Sequence, residues 1–179
     1  MADFRLTDEQ RQYQQLAREF AQNEIVPRAA HYDATGEFPG DIYQQAWQLG
    51  LMNVHVPEKF GGFGLGVFDA CLINEEIGAA CTGVGAAMDA TNLAQTVLIL
   101  SGSEEQKQEF LTPLVEECGF AAYCWLDGTR KTTALRTGSD FVISGEKLAV
   151  TNAGVARWFL VLAAAAGEQD DGALSAFIV

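Results

Sequence analysis

Gly119-Phe120-Ala121-Ala122-Tyr123-Cys124-Trp125 is the stretch on which the fold turns, because the apolar period changes there. Before Cys118 apolar residues recur at steps of three and four; after it they alternate. Upstream, Thr7-Asp8-Glu9-Gln10 reads as a capping box, and Tyr13, Leu16, Ala17, Phe20, Ala21 and Ile25 follow as one buried helical stripe. Pro27, without an N–H, is expected to end or kink that helix. A second helix fits Asp41 to Leu49, closed by Gly50. Pro57 to Gly66 is loop, Val67 to Ala80 is helix with Glu75 and Glu76 on its exposed side, and Val84 to Leu100 reads as a helix buried on most faces. Gly102 ends it, and Ser103-Glu104-Glu105-Gln106 caps a last helix that reaches about Glu116.

Downstream of the switch, Phe141-Val142-Ile143, the turn pair Ser144-Gly145 and Leu148 to Thr151 read as a hairpin. Trp158 to Leu162 and Ala173 to Val179 read as two more strands, with Glu168 to Gly172 a solvated turn between them. Helices followed by strands, with little alternation, imply an α+β chain of segregated parts. The expectation is an amino-terminal all-α helical domain over 1–117, then part of an antiparallel β-domain over 118–179. So few short strands leave open sheet edges, which is why that domain is expected to be partial.

Charge narrows the function. The net charge of −13 over 179 residues disfavours phosphate backbones and anionic lipid. Local cations can still hold a small phosphate-bearing molecule against the overall field. Cys71, Cys81, Cys118 and Cys124 lack metal-ligand spacing, and His31 and His55 are isolated, so no metal site is expected. The acidic, polar start carries no secretory leader pattern, and the longest nearly apolar run, Trp158 to Ala166, is too short to span a bilayer. A cytoplasmic protein with reduced thiols is the expectation.

On residues alone, the chemical signals are sparse. The glycine-rich Pro57 to Gly66 is neither a dinucleotide fingerprint nor a P-loop, and reads as a tight loop between helices. Arg130, Lys131 and Arg136 form either a phosphate contact or a solvated basic stretch. Asp69, Glu75 and Glu76 read as solvated carboxylates, the cysteines as small core residues, and Trp125 and Trp158 as core aromatics.

Longer segments carry a resemblance. Pro57 to Gly66, then Phe68-Asp69-Ala70-Cys71-Leu72-Ile73-Asn74-Glu75-Glu76-Ile77 and Cys81-Thr82-Gly83-Val84, resemble the acyl-CoA dehydrogenase family, its medium- and short-chain members above all. Pro27 to Ala30, Tyr32 to Pro39, Ala122-Tyr123-Cys124 and Gly145 to Gly154 extend the likeness over essentially the whole chain. The resemblance implies a helical domain, a middle β-domain and a carboxy-terminal helical domain, the last absent here with the family's catalytic Glu. It further implies FAD, an acyl-CoA substrate oxidised to the trans-2-enoyl thioester, electron-transferring flavoprotein as electron acceptor, and an oligomer. Hydrogen bonds to the thioester carbonyl would stabilise the enolate-like charge that develops in such a reaction.

Carried over by position, Tyr123, Cys124, Trp125 and Leu126 correspond to a strand along the flavin edge, and Ala149, Val150 and Thr151 to a second one, with Thr151 as side-chain donor. Gly85, Ala86, Asp89 and Leu93 correspond to positions lining the acyl pocket; ordinary core packing is the alternative for that helix. Three departures stand out. Leu126-Asp127-Gly128-Thr129 replaces the family's Thr-Glu-Pro-Gly-x-Gly-Ser-Asp loop, and the segment before Phe141 is several residues short; Gly138-Ser139-Asp140 lies too near that strand to stand in for it. Ala149 stands where the family places Trp or Phe, losing aromatic cover of about 1 kcal/mol. No residue here answers to the catalytic base. These departures keep a second reading open, a non-catalytic, FAD-free subunit that pairs with an active partner.

Overall fold

The computed structural model describes residues 5–166 and 174–179, so the expected turn at Glu168 to Gly172 lies outside the described residues. The chain divides into two compact units, Met1–Gly119 and Phe120–Val179.

The first unit is helical: α1 (Asp8–Phe20), α2 (Val26–Thr35), α3 (Gly40–Gln48), α4 (Val67–Ala80), α5 (Thr82–Ser101) and α6 (Glu104–Glu116). Both capping boxes form. Thr7 Oγ1 accepts from Gln10 N at 3.1 Å while Thr7 N donates to Gln10 Oε1 at 3.0 Å, and Ser103 and Gln106 repeat the exchange at 3.2 and 2.9 Å. Pro27 does not end the first helix. A π-turn over Ala21–Ile25 precedes it, α2 continues beyond, and Pro27 sits in the first turn of α2, where a missing N–H costs least. Gly36 then closes α2 with φ +70°.

Two further expectations change. Glu75 is exposed, but Glu76 is half-buried and takes a two-pronged contact from Arg18, 3.0 Å from Nε and 2.6 Å from Nη2. Helix α5 is buried along Val84, Gly85, Met88, Thr91, Ala94, Gln95 and Leu98 only, and leaves one whole face open. The approach of α4 and α5 is set by Gly85, since a Cβ there would lie 3.1 Å from Gly78 Cα, whereas a Cβ on Gly78 itself would meet nothing within 4 Å. A polar knot stands in this core. Asn53, buried and at φ +56°, donates to the carbonyls of Leu114 (2.7 Å) and Gly119 (3.4 Å) and accepts from Gln95 Nε2 at 2.6 Å.

The second unit is a five-stranded sheet: β1 (Phe120–Cys124), β2 (Thr133–Thr137), β3 (Asp140–Ser144), β4 (Ala156–Ala166) and β5 (Leu174–Ile178). It is mixed rather than purely antiparallel. The β2–β3 and β4–β5 pairs are antiparallel, whereas β1 and β2 both run parallel to β4. The connection from Cys124 back to Ala156 is long enough for such a crossover. Leu160 pairs with both Tyr123 and Ile178, and Ala164 with both Thr133 and Leu174. Strands β1 and β2 therefore lie end to end along one side of β4, with β5 on the other. Phe141 of β3 meets Phe177 of β5 edge-to-face at 5.1 Å, so the sheet curls.

The expected hairpin at Phe141 to Thr151 is corrected. The hairpin is β2–β3, turning at Gly138-Ser139, where Gly138 has φ +66° and Thr137 faces Asp140. Glycine at the first turn position is the chemistry of a two-residue hairpin. Leu148 to Thr151 is not a strand, because Ala149 (φ +50°) and Asn152 (φ +66°) take the left-handed conformation that breaks one.

Candidate functional site

At Cys124 the chain leaves β4, and it rejoins at Thr132, whose carbonyl accepts from Ala164 N at 3.0 Å. The excursion between them is pinned to the segment after β3. Leu148 N donates to Leu126 O at 2.9 Å, Gly128 N donates to Glu146 O at 2.8 Å, and Asp127 faces Lys147 in an antiparallel bridge. Asp127 Oδ1 is the hub, accepting from Thr132 N (3.2 Å), Thr132 Oγ1 (2.7 Å) and Lys147 Nζ (2.8 Å). Lys147 also donates to Trp125 O at 3.3 Å. Glu146 Oε2 accepts from Thr129 N at 3.3 Å and Thr129 Oγ1 at 3.1 Å. A Cβ on Gly145 would fall 2.5 Å from Thr132 Cα, so the close crossing of these strands requires glycine there.

Electrostatics follow this geometry. The ammonium of Lys147, then the hydroxyl of Thr132, hold the Asp127 carboxyl below the ordinary aspartate value of 3.8. A depressed folded value means that the clasp contributes stability above the unfolded value and loses it as pH falls through the folded one. The Thr132 amide resonance is therefore expected to titrate with a midpoint below 3.8, and Asp127→Asn to abolish that titration. A midpoint at or above 3.8 would show that Lys147 does not hold the carboxylate.

The residues expected at a cofactor edge come together on this frame. The hydrogen bond from Leu148 to Leu126 ties Tyr123-Cys124-Trp125-Leu126 to Ala149-Val150-Thr151. Tyr123 and Val150 are half-buried and Cys124 is buried, where burial pushes its thiol up. Leu126, Ala149 and Thr151 are exposed, and among the described residues the Thr151 hydroxyl has no hydrogen-bond partner. Trp125, expected in the core, is 62% exposed, while Trp158 is buried at 4%. The cysteines divide likewise: only Cys124 is a core residue, Cys71 is exposed, and Cys81 and Cys118 are half-buried. An exposed indole, small side chains and an available hydroxyl are the kinds of group that suit a flat aromatic ligand with polar edges.

The four expected acyl-pocket positions separate. Gly85 is buried against α4 as a packing glycine. Ala86, Asp89 and Leu93 share the open face of α5. There the Asp89 carboxylate accepts from Asn74 Nδ2 at 2.8 Å and Asn92 Nδ2 at 3.2 Å. Leu100 continues this face into a shallow groove of about 230 Å³ with His55, Leu65, Val67 and Thr96 on its walls.

Sequence reading missed the Asp127–Lys147–Thr132 clasp. Its members are far apart in the chain and of ordinary types, and no motif marks them. Among the described residues no cluster of His, Cys, Asp or Glu can hold a metal ion, and no helix is long and apolar enough to cross a membrane.

The family described as acyl-CoA dehydrogenase, N-terminal domain, matches residues 7–117. A probable acyl-CoA dehydrogenase of Bacillus subtilis is 37% identical over 99% of this chain and 49% of its own length. The short-chain specific acyl-CoA dehydrogenase of Clostridium acetobutylicum is 35% identical over 99% of the chain and 49% of its own length. Among solved structures, butyryl-CoA dehydrogenase from Megasphaera elsdenii superposes with a TM-score of 0.90 at 29% identity, over 99% of this chain and 50% of that one. The chain thus spans about half the length of these relatives.

Proposed function

Since this chain belongs to the acyl-CoA dehydrogenase family, we propose that it supplies part of the binding surface for an FAD-dependent α,β-dehydrogenation of an acyl-CoA thioester. The observation that carries this reading is the Leu126–Leu148 hydrogen bond, which ties the two flavin-edge segments to one frame. In that role Trp125 and Leu126 cover the ring system, replacing the aromatic that Ala149 lacks, and the Thr151 hydroxyl donates to its polar edge. Lys147 holds the Trp125 carbonyl and so fixes the backbone that meets the ring. The open face of α5, through Ala86 and Leu93, takes the acyl tail.

FAD, when bound, supplies the two-electron acceptor for the β-hydride as the α-proton leaves to a base, giving the trans-2-enoyl thioester. None of these 179 residues is assigned as that base, so the chain's contribution is binding and orientation. Electron-transferring flavoprotein as electron acceptor and assembly into oligomers belong to the same proposal.

One observation favours a second reading, the FAD-free subunit. The amide and hydroxyl groups of Thr129 and Thr132 are spent on Glu146 and Asp127 within the loop, and none of them is left for a cofactor. A visible spectrum separates the two. Protein equilibrated with FAD and desalted is expected to keep a band near ~450 nm, with Trp125→Ala and Thr151→Ala each weakening retention about tenfold. Colourless wild-type protein would decide for the subunit.

A further inference from the structure

A seam of amide side chains crosses the helical unit from the open face of α5 into its core. Asn74 Nδ2 and Asn92 Nδ2 both donate to Asp89 Oδ1, at 2.8 and 3.2 Å. Deeper in, Gln95 Nε2 donates to Asn53 Oδ1 at 2.6 Å, and Asn53 Nδ2 donates to the carbonyls of Leu114 and Gly119. The two halves do not join through protein atoms. Asn92 Oδ1 and Gln95 Oε1 are both sealed from solvent, and neither has a donor among the described residues. Gln95 is fully buried, so bulk water cannot serve its oxygen.

Turning the amides over does not mend this. Asn53 is fixed, because its NH2 group faces two backbone carbonyls, which only accept. Its oxygen therefore faces Gln95, and that sets the Gln95 amide with nitrogen toward Asn53 and oxygen away. Asn92 is fixed from the other end, since a carboxylate oxygen accepts and the amide nitrogen must face it. Both leftover atoms are acceptors whichever way the network is redrawn. Positions 92 and 95 are neighbours on successive turns of α5. A helical side chain leans back over the turn before it, which carries the Gln95 amide toward position 92. Asn92 spends its nitrogen on Asp89, one turn the other way, which leaves its oxygen on the side of Gln95.

Donation thus runs away from this point on both sides, to Asp89 in one direction and to Asn53 in the other. Only a group with two donor hydrogens can stand there. We propose that one buried water molecule is bound between Asn92 Oδ1 and Gln95 Oε1, donating to both and joining the seam from Asp89 to the Gly119 carbonyl. Water fits better than an ammonium-type cation, because both oxygens belong to neutral amides and a buried charge costs far more than a buried neutral donor. The site stands independently of the function proposed above.

The test is water-selective NOE and ROE spectroscopy of the full, isotope-labelled chain, read at the side-chain amide protons of Asn92 and Gln95. A long-held water gives NOE and ROE peaks of opposite sign, whereas hydrogen exchange gives peaks of the same sign. Opposite signs are expected at both residues and not at Gln44, which is exposed. Asn92→Leu removes one of the two partners and should abolish the Gln95 peak. Asn74→Ala takes the other donor from Asp89 but leaves both oxygens, so the peak should persist. Thr91→Val removes a buried hydroxyl one turn from Gln95, and the peak should survive that as well. Absent or same-sign peaks in the wild type overturn the proposal. So does a Gln95 peak that outlasts Asn92→Leu or disappears with Thr91→Val. The wild-type signs alone decide the matter if Asn92→Leu does not fold.

Discussion

Asn53→Ala is expected to destabilise the helical unit by about 3–5 kcal/mol, the loss of a buried three-way hydrogen-bond hub and of a residue suited to its backbone. The Asn53 amide serves the carbonyls of Leu114 and Gly119, and its oxygen is the acceptor for Gln95 Nε2. Gln95 is fully buried, and its Oε1 already has no partner among the described residues, so losing Asn53 strands the remainder of that amide. Each stranded group costs about 1–3 kcal/mol. The backbone adds a second term, because Asn53 sits at φ +56°, where alanine pays about 1 kcal/mol and glycine nothing. Asn53→Gly is therefore expected to recover about 1 kcal/mol of the loss and no more. Denaturant unfolding of the three proteins measures both terms, and a loss under ~1 kcal/mol in the alanine variant would show that the hub is dispensable.

Gly62→Ala comes next, at about 3 kcal/mol or more. A Cβ there would lie 2.0 Å from the Val56 carbonyl oxygen and 2.6 Å from its carbon. That carbonyl cannot step aside freely, since it accepts from Gly64 N at 2.8 Å and Val56 is fully buried. Either the loop over residues 57–66 lifts off, or the hydrogen bond breaks. Gly78→Ala is the control, because its Cβ meets nothing within 4 Å and lies inside α4. It is expected to be neutral or to stabilise by about 0.5–1 kcal/mol. Thermal unfolding should separate the pair by roughly 10 °C; similar midpoints would mean that the loop accommodates the methyl group.

What could be read from the residues was local. Thr7 and Gln10, and Ser103 and Gln106, announce helix starts through chemistry contained in four consecutive positions, and both boxes form. The change of period near Cys118 marks the passage from helices to strands for the same reason. Errors arose where partners are distant or two local signals compete. Ser144-Gly145 looked like a turn, yet Gly145 is there to let Thr132 come close, and the turn belongs to Gly138-Ser139. The parallel pairing of β1 and β2 with β4 depends on contacts across the crossover, which no window of sequence contains. Pro27 predicts an end or a kink, whereas the irregularity is a π-turn just before it, which leaves no compositional trace. Of the candidate site, the strand residues were visible through likeness to a family, while the clasp that sets their backbone was not.

Because β1 and β2 are fastened to neighbouring reaches of a single rail, β4, the chain between Trp125 and Lys131 works as a cassette with two independent anchor points. Residues can be added between Thr129 and Lys131 or removed there without shifting the pairing of β1 or β2 with β4. The fold can thus carry loops of different length at this position and exchange the ligand chemistry they present while the sheet beneath stays the same.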